Sequence, residues 1–371
     1  MIDPVKILQR AWQILWSYRA LWVFGLILAL AAGSTASGNG DNNGVQWRED
    51  SQSYQPPSYG SVQEFFQDVG QEIDKLFRQG IPEANISGEQ LSAFVWTIGA
   101  FVVFMFLVGI AVSIAYYVSV TSVIRMVDEY ESTGTKRTVR EGFGLGWSPT
   151  AWRVFLINLI VNLPGILFFL ALLIAGVAFF LSYVNGNLTF TPFSTVATIG
   201  LLFLGILLVV ILSLILGFFR PFFWRVCVLE EAGVRESLQR GFAMVRENWK
   251  NAGLMWLVMI GLGIAWIVVS IIAAILTLPV VIVTAALAAL VVAIPGLLLV
   301  GLFSLFLGGP LPWIAAGLFV LPLFFTLAFS PWLLLGSWQQ VFTSTVWTLT
   351  YREIKALPAL VIPEGLEPVG D

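Results

Sequence analysis

Residues Arg220 to Gly253 read RPFFWRVCVLEEAGVRESLQRGFAMVRENWKNAG and form a charged, amphipathic stretch between two long apolar runs. Its core, GVRESLQRGF from Gly233 to Phe242, aligns without a gap on GTKRTVREGF from Gly134 to Phe143. A shorter match, LQRAW from Leu8 to Trp12, aligns with LQRGF from Leu238 to Phe242. Each copy precedes an apolar segment of membrane length, so the pattern predicts one unit, a surface helix followed by a membrane hairpin, used three times.

The composition is typical of an integral membrane protein. Of 371 residues, 58% are hydrophobic and only 11% are charged, whereas soluble domains carry roughly a quarter charged residues. Several uncharged runs exceed the roughly 20 residues that a helix needs to cross the hydrocarbon core, and the period-two alternation of a membrane barrel is absent. We therefore predict an all-α, polytopic helical membrane protein with about six transmembrane helices and cytoplasmic amphipathic helices at the interface.

Histidine is absent and Cys227 is the one cysteine. Zinc sites, iron–sulfur clusters, histidine-based triads and an internal disulfide are therefore excluded, and we expect neither a metal nor a cofactor. No basic domain indicates a nucleic-acid partner. The neighbours of Cys227 are apolar, which favours a buried small side chain over a reactive thiol.

Changes in composition divide the chain into four parts. These are residues 1–33, an interfacial helix and a first span; 34–90, an extracytoplasmic polar loop with an amphipathic helix; 91–351, a membrane domain with cytoplasmic islands at 125–153 and 220–250; and 352–371, a proline-rich cytoplasmic tail. Counting the charged N-terminal helix as the first, we call the islands at 125–153 and 220–250 the second and the third island. A cleaved signal peptide is the alternative for the first part, but the likeness of its helix to the later surface helices favours a retained span.

The region from Asn251 to Tyr351 contains no Asp, Glu, Lys or Arg and must lie almost wholly in the membrane. Its prolines predict one span that ends near Leu278 and another that begins near Trp313. Between them, residues 280–307 form either two half-helices that re-enter the membrane or two further spans. Both alternatives give an even number of crossings, which returns Arg352 to the side of the second island.

The distribution of charge predicts the orientation. When the N-terminus, both islands and the tail share one side, that side holds every Lys and Arg except Arg48, Lys75 and Arg78 of the loop. By the positive-inside rule this side is the cytoplasm, so we predict a multi-pass protein of the prokaryotic plasma (inner) membrane with both termini cytoplasmic. Tryptophans cluster beside the same boundaries, as an aromatic belt would; they are Trp12, Trp16, Trp147, Trp152, Trp224, Trp249 and Trp338.

Cations interleaved with aromatic residues make the third island a candidate site for anionic lipid headgroups, with each near-surface cation contributing about 1 kcal/mol. The candidates are Arg220, Arg225, Arg240, Arg246 and Lys250. General anchoring by the positive-inside rule is the alternative explanation.

Acidic residues precede the repeated glycine in both islands; they are Asp128, Glu129, Glu131, Glu230 and Glu231. Paired carboxylates can bind a divalent cation or act as acid and base. We favour a simpler role, in which the carboxylates stabilise the positive ends of surface helices.

Asn158 and Asn162 are one helical turn apart within a predicted span. Interhelical hydrogen bonding is the favoured role, with a polar substrate site as the alternative. No carboxylate, lysine or arginine lies well inside an apolar run, whereas ion-coupled carriers usually need such groups.

The charged stretch from Arg220, together with the closing segment WTLTYREIKAL from Trp347 to Leu357, resembles a broad group of prokaryotic six-span membrane proteins of uncharacterised function. The resemblance covers most of the chain from Leu91 onward, and it extends to the membrane region attached to some glycerophosphodiester phosphodiesterases. It implies a fold and a location. The phosphodiesterase domain has no counterpart here, so no catalytic residue carries over.

These observations favour a non-enzymatic membrane scaffold, or a protein that interacts with lipids or with a partner. Membrane lipids are the expected partners, with a protein partner or a second copy of the chain as alternatives. A permease for an uncharged or amphiphilic solute is the rival hypothesis, and an enzyme acting on lipid headgroups is a third.

Overall fold

The structure, a computed structural model, describes residues 2–36, 88–184 and 192–361. Only helices, and no strands, occur in these ranges, which confirms the predicted all-α fold class. The helices are α1 (Pro4–Ser17), α2 (Ala20–Ala36), α3 (Gly88–Thr133), α4 (Val139–Gly146), α5 (Pro149–Val184), α6 (Pro192–Leu229), α7 (Val234–Glu247), α8 (Trp249–Phe303), α9 (Leu311–Ala328) and α10 (Ser330–Val361).

Long apolar helices make the chain a multi-pass membrane protein. Within the described ranges, α3, α5, α6, α8 and α9 are each long and apolar enough to cross a membrane, which gives five candidate spans. Helices α1 and α2 meet at an angle of 102° and together supply a sixth. The apolar residues of these helices point outward over most of their length, as lipid-facing surfaces do.

Helix α10 lies at the centre of the bundle and packs against α1, α2, α3, α6, α8 and α9. Many of its polar side chains are fully buried, among them Ser337, Thr345, Thr348 and Thr350. Thr348 Oγ1 donates to the Ser344 carbonyl at 2.9 Å, and Thr350 Oγ1 donates to the Val346 carbonyl at 2.8 Å. Because the backbone of the helix accepts from these two threonines, their hydroxyls can be buried inside the bundle.

The predicted break at Pro279 is wrong, because α8 continues through Pro279 and Pro295 to Phe303. Residues 280–307 are therefore neither two half-helices nor two spans, but the distal part of α8 and the start of a turn. At about 1.5 Å per residue, the 55 residues of α8 have a length of about 80 Å, more than twice the thickness of a hydrocarbon core of about 30 Å. The chain then turns at Gly309, whose φ is +60°, and returns as α9.

The predicted islands are not separate elements. Helix α3 extends through the first nine residues of the second island, and α6 extends through the first ten of the third. Each island is thus the end of a spanning helix followed by a surface helix. The predicted loop helix near 62–77 and the tail beyond 361 lie outside the described residues.

Surface helix and apolar helix follow one another three times, as α1–α2, α4–α5 and α7–α8. The small residues that the sequence match aligns, Ala11, Gly142 and Gly241, are all buried. The repeat itself stays a prediction.

Candidate functional site

One end of the bundle gathers the charged residues. The last turns of α3, α6 and α10 meet there, and the surface helices α1, α4 and α7 lie against them. We call this assembly, which comprises residues 3–18, 125–153, 225–250 and 351–357, the charged end. The residues predicted to share one side of the membrane are therefore in direct contact.

The surface helices begin with defined caps. Asp3 Oδ1 accepts hydrogen bonds from the Val5 and Lys6 amides at the start of α1. At the start of α4, Thr138 Oγ1 accepts from the Glu141 amide, and Glu141 accepts from the Thr138 amide at 2.8 Å. This reciprocal pair is a capping box, and it fixes where α4 begins.

Two aligned glycines set the depth at which α4 and α7 pack. An added Cβ at Gly142 would lie 2.6 Å from the Met126 sulfur and 2.7 Å from the Phe24 ring. An added Cβ at Gly241 would lie 2.7 Å from the Phe223 ring. Only a residue without a side chain allows these helices to approach the spanning helices so closely.

Glu230, directly after α6, is the hub of the charged end. Its carboxylate accepts from Tyr351 Oη at 2.6 Å, Lys355 Nζ at 2.7 Å and Arg240 Nη1 at 3.0 Å. Burial alone would raise the pKa of Glu230, but these hydrogen bonds outweigh burial and lower its pKa to about 2. One carboxylate thereby joins α6, α7 and α10.

The carboxylates of the second island form a parallel set of contacts. They lie in the last turns of α3, not at the start of a surface helix, so the predicted helix-start role is wrong for them. Near the negative end of a helix a carboxylate needs a cation. Each has one: Asp128 pairs with Arg352, Glu129 with Arg137 at 2.6 Å, and Glu131 with Arg10 at 2.7 Å.

Glu231 has a left-handed backbone, with φ of +54°. This conformation is unfavourable for a residue with a side chain and persists only where neighbours hold it. Arg125 donates to the Glu231 carboxylate at 3.0 Å, and Arg153 donates to its backbone carbonyl at 2.7 Å. Two arginines from the second island thus hold the end of α6, where the predicted helix-start role is likewise wrong.

The five predicted headgroup residues do not share one surface. Arg225 is 3% exposed and donates to the Pro221 and Ser344 carbonyls. Arg220 lies 4.4 Å from the centre of the Trp224 ring, and Arg240 is bound to Glu230. Arg246 and Lys250 are exposed and form no ion pair with the described residues.

The two predicted intramembrane asparagines have different partners. Asn158 Nδ2 lies 2.6 Å from Tyr117 Oη and links α5 to α3. Asn162 Nδ2 donates to the Asn158 carbonyl of its own helix at 2.8 Å. The first is an interhelical contact, and the second is local.

Exposed tryptophans surround the charged end. Their exposed fractions are Trp12 52%, Trp16 43%, Trp147 73%, Trp152 63% and Trp249 64%. Tryptophan favours the membrane–water interface because its ring is apolar and its N–H is polar. This preference predicts that these exposed tryptophans lie at the level of the lipid headgroups.

Comparison with known proteins gives a family but no activity. The model of a family of unknown function, DUF7544, matches residues 8–346. No curated protein and no solved structure gives a significant match. The family match does not bear on the resemblance to the membrane regions of glycerophosphodiester phosphodiesterases, which stays a prediction.

Proposed function

We propose that this chain, which belongs to DUF7544, a family of unknown function, is a non-enzymatic membrane protein whose charged end interacts with anionic lipids of the cytoplasmic leaflet. The observation that carries the proposal is the combination of exposed tryptophans with cations that have no carboxylate partner among the described residues. The preference of tryptophan for the interface supports a position of the charged end at the headgroup level, and cations without a carboxylate partner among the described residues support a preference for anionic lipids.

Helix α7 supplies the clearest lipid-facing surface. Its buried residues, Ser237, Gly241 and Val245, lie on one side. At 100° per residue, Arg235 and Arg246 lie within about 20° of one another on the opposite side. Lys250 follows at the start of α8, beside the exposed Trp249. A row of cations beside an interfacial tryptophan suits phosphate groups.

The carboxylates argue against acid–base chemistry. A general base must be free to accept a proton near neutral pH. Glu230 is held as an anion by three donors and has a pKa near 2, and the acidic residues of the second island are in ion pairs. Their arrangement supports a structural role, which is why we favour a non-enzymatic protein over a lipid-headgroup enzyme.

A permease is the weaker alternative. The hypothesis relied on a broken helix between Pro279 and Pro312, where backbone groups would line a pathway. Helix α8 runs unbroken through the first part of this region. This continuity leaves only the turn between Phe303 and Leu311 as a break in that region, which weakens the support for transport.

Replacing Arg246 and Lys250 together by glutamine is expected to reduce retention of phosphatidylglycerol by roughly thirtyfold, because each of the two cations near an anionic surface contributes about 1 kcal/mol. Retention of phosphatidylcholine should not change. Native mass spectrometry after identical detergent exchange measures both. Arg225 and Arg240 are unsuitable for this test, because their side chains hold the protein together.

Glu247→Gln is the matched control, since Glu247 is exposed on the same helix and forms no ion pair with the described residues. It should retain at least as much phosphatidylglycerol as the wild type. Equal retention by the wild type and by the Arg246→Gln/Lys250→Gln variant would overturn the proposal, as would a wild type that carries a protein partner and no lipid.

A further inference from the structure

A cleft opens between α1, α6, α8 and α10, beside the charged end but separate from its ion pairs. Its volume is about 490 Å³, within the range of about 300–1,000 Å³ that small-molecule sites occupy. Six of the chain's fifteen tryptophans line it: Trp12, Trp16, Trp256, Trp266, Trp338 and Trp347.

Two glycines keep this cleft open. Gly217 of α6 and Gly263 of α8 both line it, and an added Cβ at either position would have no atom within 4 Å. This is the opposite of Gly142 and Gly241, where an added Cβ would overlap a neighbouring side chain. The space beside Gly217 and Gly263 is therefore available to a ligand.

The lining is polar at two positions and charged at none. Apart from the indole groups of the tryptophans, the polar side chains of the lining are Gln339 and Thr343, which lie one turn apart on α10 and are uncharged. Arg225 is not part of the lining, because it is bound to backbone carbonyls between α6 and α10. A charged group in the cleft would lose its hydration without gaining a counter-ion, whereas a hydroxyl or amide could hydrogen-bond to Gln339 and Thr343.

The position of the cleft indicates where its ligand comes from. Trp12 and Trp16 belong to the surface helix α1 and are partly exposed at the interface, whereas Trp266 lies more than four helical turns into α8. A ligand there would lie with its polar group near the interface and its apolar part among aromatic rings. This is the arrangement of a lipid.

We propose that the tryptophan cleft binds one molecule of an uncharged amphiphile, a membrane lipid with a hydroxyl-bearing headgroup and an apolar chain. The headgroup hydrogen-bonds to Gln339 and Thr343, and the chain packs along α8 past Gly263. The inference does not depend on the lipid preference of the charged end, because neither Arg246 nor Lys250 lines the cleft.

The proposal is tested by measuring which probe lipids bind and whether a bulky side chain in the cleft prevents their binding. Mono-oleoylglycerol, which is uncharged, and lyso-phosphatidylglycerol, which is anionic, are titrated separately into the detergent-purified protein, and native mass spectrometry counts the bound molecules. The wild type is expected to bind one mono-oleoylglycerol. The Arg246→Gln/Lys250→Gln variant, whose charged end has lost cations that attract anionic lipids, should bind that probe in preference to the anionic one. Gly263→Phe should weaken that binding at least tenfold, because the ring occupies the space of the chain.

Gly261→Phe is the matched control, since Gly261 is on the same helix, also has no atom within 4 Å of an added Cβ and does not line the cleft. It should bind mono-oleoylglycerol as the wild type does, and so should Arg246→Gln/Lys250→Gln. Equal binding of mono-oleoylglycerol by the wild type and Gly263→Phe would overturn the proposal, as would binding of the anionic probe by Arg246→Gln/Lys250→Gln as tight as its binding of the uncharged probe.

Discussion

Glu230→Gln is expected to lower the free energy of unfolding by about 2 kcal/mol, since hydrogen bonds to a charged group contribute about 1.5–3 kcal/mol and the exposed partners reduce this gain. Glutamine has nearly the same shape, but its neutral amide is a weaker acceptor for Tyr351, Lys355 and Arg240. Cys227 offers the measurement, because it is the single cysteine and is fully buried. Its reaction with a fluorogenic maleimide during heating reports the unfolding temperature.

The effect of Glu230→Gln should depend on pH in one direction. The pKa of Glu230 is lowered from 4.5 to about 2 in the folded protein, so its contribution is present above about pH 4.5 and is lost as the pH falls towards 2. The difference between the wild type and the variant should be constant from pH 5 to 8 and should shrink below that window. The pH series is followed by the loss of helical circular dichroism on heating, because in acid too little of the Cys227 thiol is ionised to react with a maleimide.

Glu247→Gln is the control for this experiment too, and it should unfold with the wild type at every pH. A Glu230→Gln variant as stable as the wild type at pH 7 would show that Glu230 does not hold α6, α7 and α10 together. An undiminished difference at pH 3 would show that lost packing, not lost charge, is responsible.

Gly25→Ala is expected to destabilise the protein by about 1–3 kcal/mol, the usual cost of overpacking. An added Cβ would lie 2.6 Å from the Ser337 backbone oxygen, from Ser337 Oγ and from Val341 Cγ2. Ser337 Oγ also donates to the Trp22 carbonyl at 2.9 Å, so a methyl group at Gly25 would push α2 away from α10. Size-exclusion chromatography after heating would show earlier loss of the monodisperse peak.

Gly99→Ala is the matched substitution, because Gly99 lies within α3 and an added Cβ there has no atom within 4 Å. It should be neutral or stabilising by up to about 1 kcal/mol, since alanine is the better helix former. If Gly25→Ala proved as stable as Gly99→Ala, the close contact between α2 and α10 would not exist as described.

The elements that periodicity and composition could predict are those with a strong local signal. The amphipathic spacing of Val5, Leu8 and Trp12 marks α1, and the long uncharged runs mark the spanning helices. The grouping of charged residues along the sequence also predicted which segments meet at the charged end. Trp147 and Trp249, which the sequence predicts to mark the membrane boundary, are exposed at the charged end; their position at the boundary stays a prediction.

The central role of α10 could not be read from its composition. Its serines and threonines lower its apolar character, yet they suit a buried helix because they are small, and Thr348 and Thr350 bond to the backbone of their own helix. The prolines led to a different error, in which a helix end was predicted where the helix continues. Pro279 and Pro295 predict breaks, but a helix surrounded by apolar neighbours can contain proline without ending.

The hydrogen bonds and ion pairs of the charged end join residues that are distant from one another in the sequence. Glu230 meets Tyr351 and Lys355, more than a hundred residues away, and a single sequence gives no pairing between them. One signal was present, because Arg352 is the first charged residue after a hundred uncharged ones. A charge that returns after such a run has to reach other charges on the same side.

Labelling with a membrane-impermeant maleimide tests whether all three surface helices lie on the cytoplasmic side, as the proposed interaction with the cytoplasmic leaflet requires. In a Cys227→Ala background, exposed positions Gln9, Arg140 and Gln239 are each replaced by cysteine, and Ser51→Cys in the predicted extracytoplasmic loop serves as the opposite marker. All three surface positions should react only in inverted membrane vesicles, and Ser51→Cys only in intact cells. Reaction of any of the three from the same side as Ser51→Cys would contradict the claim.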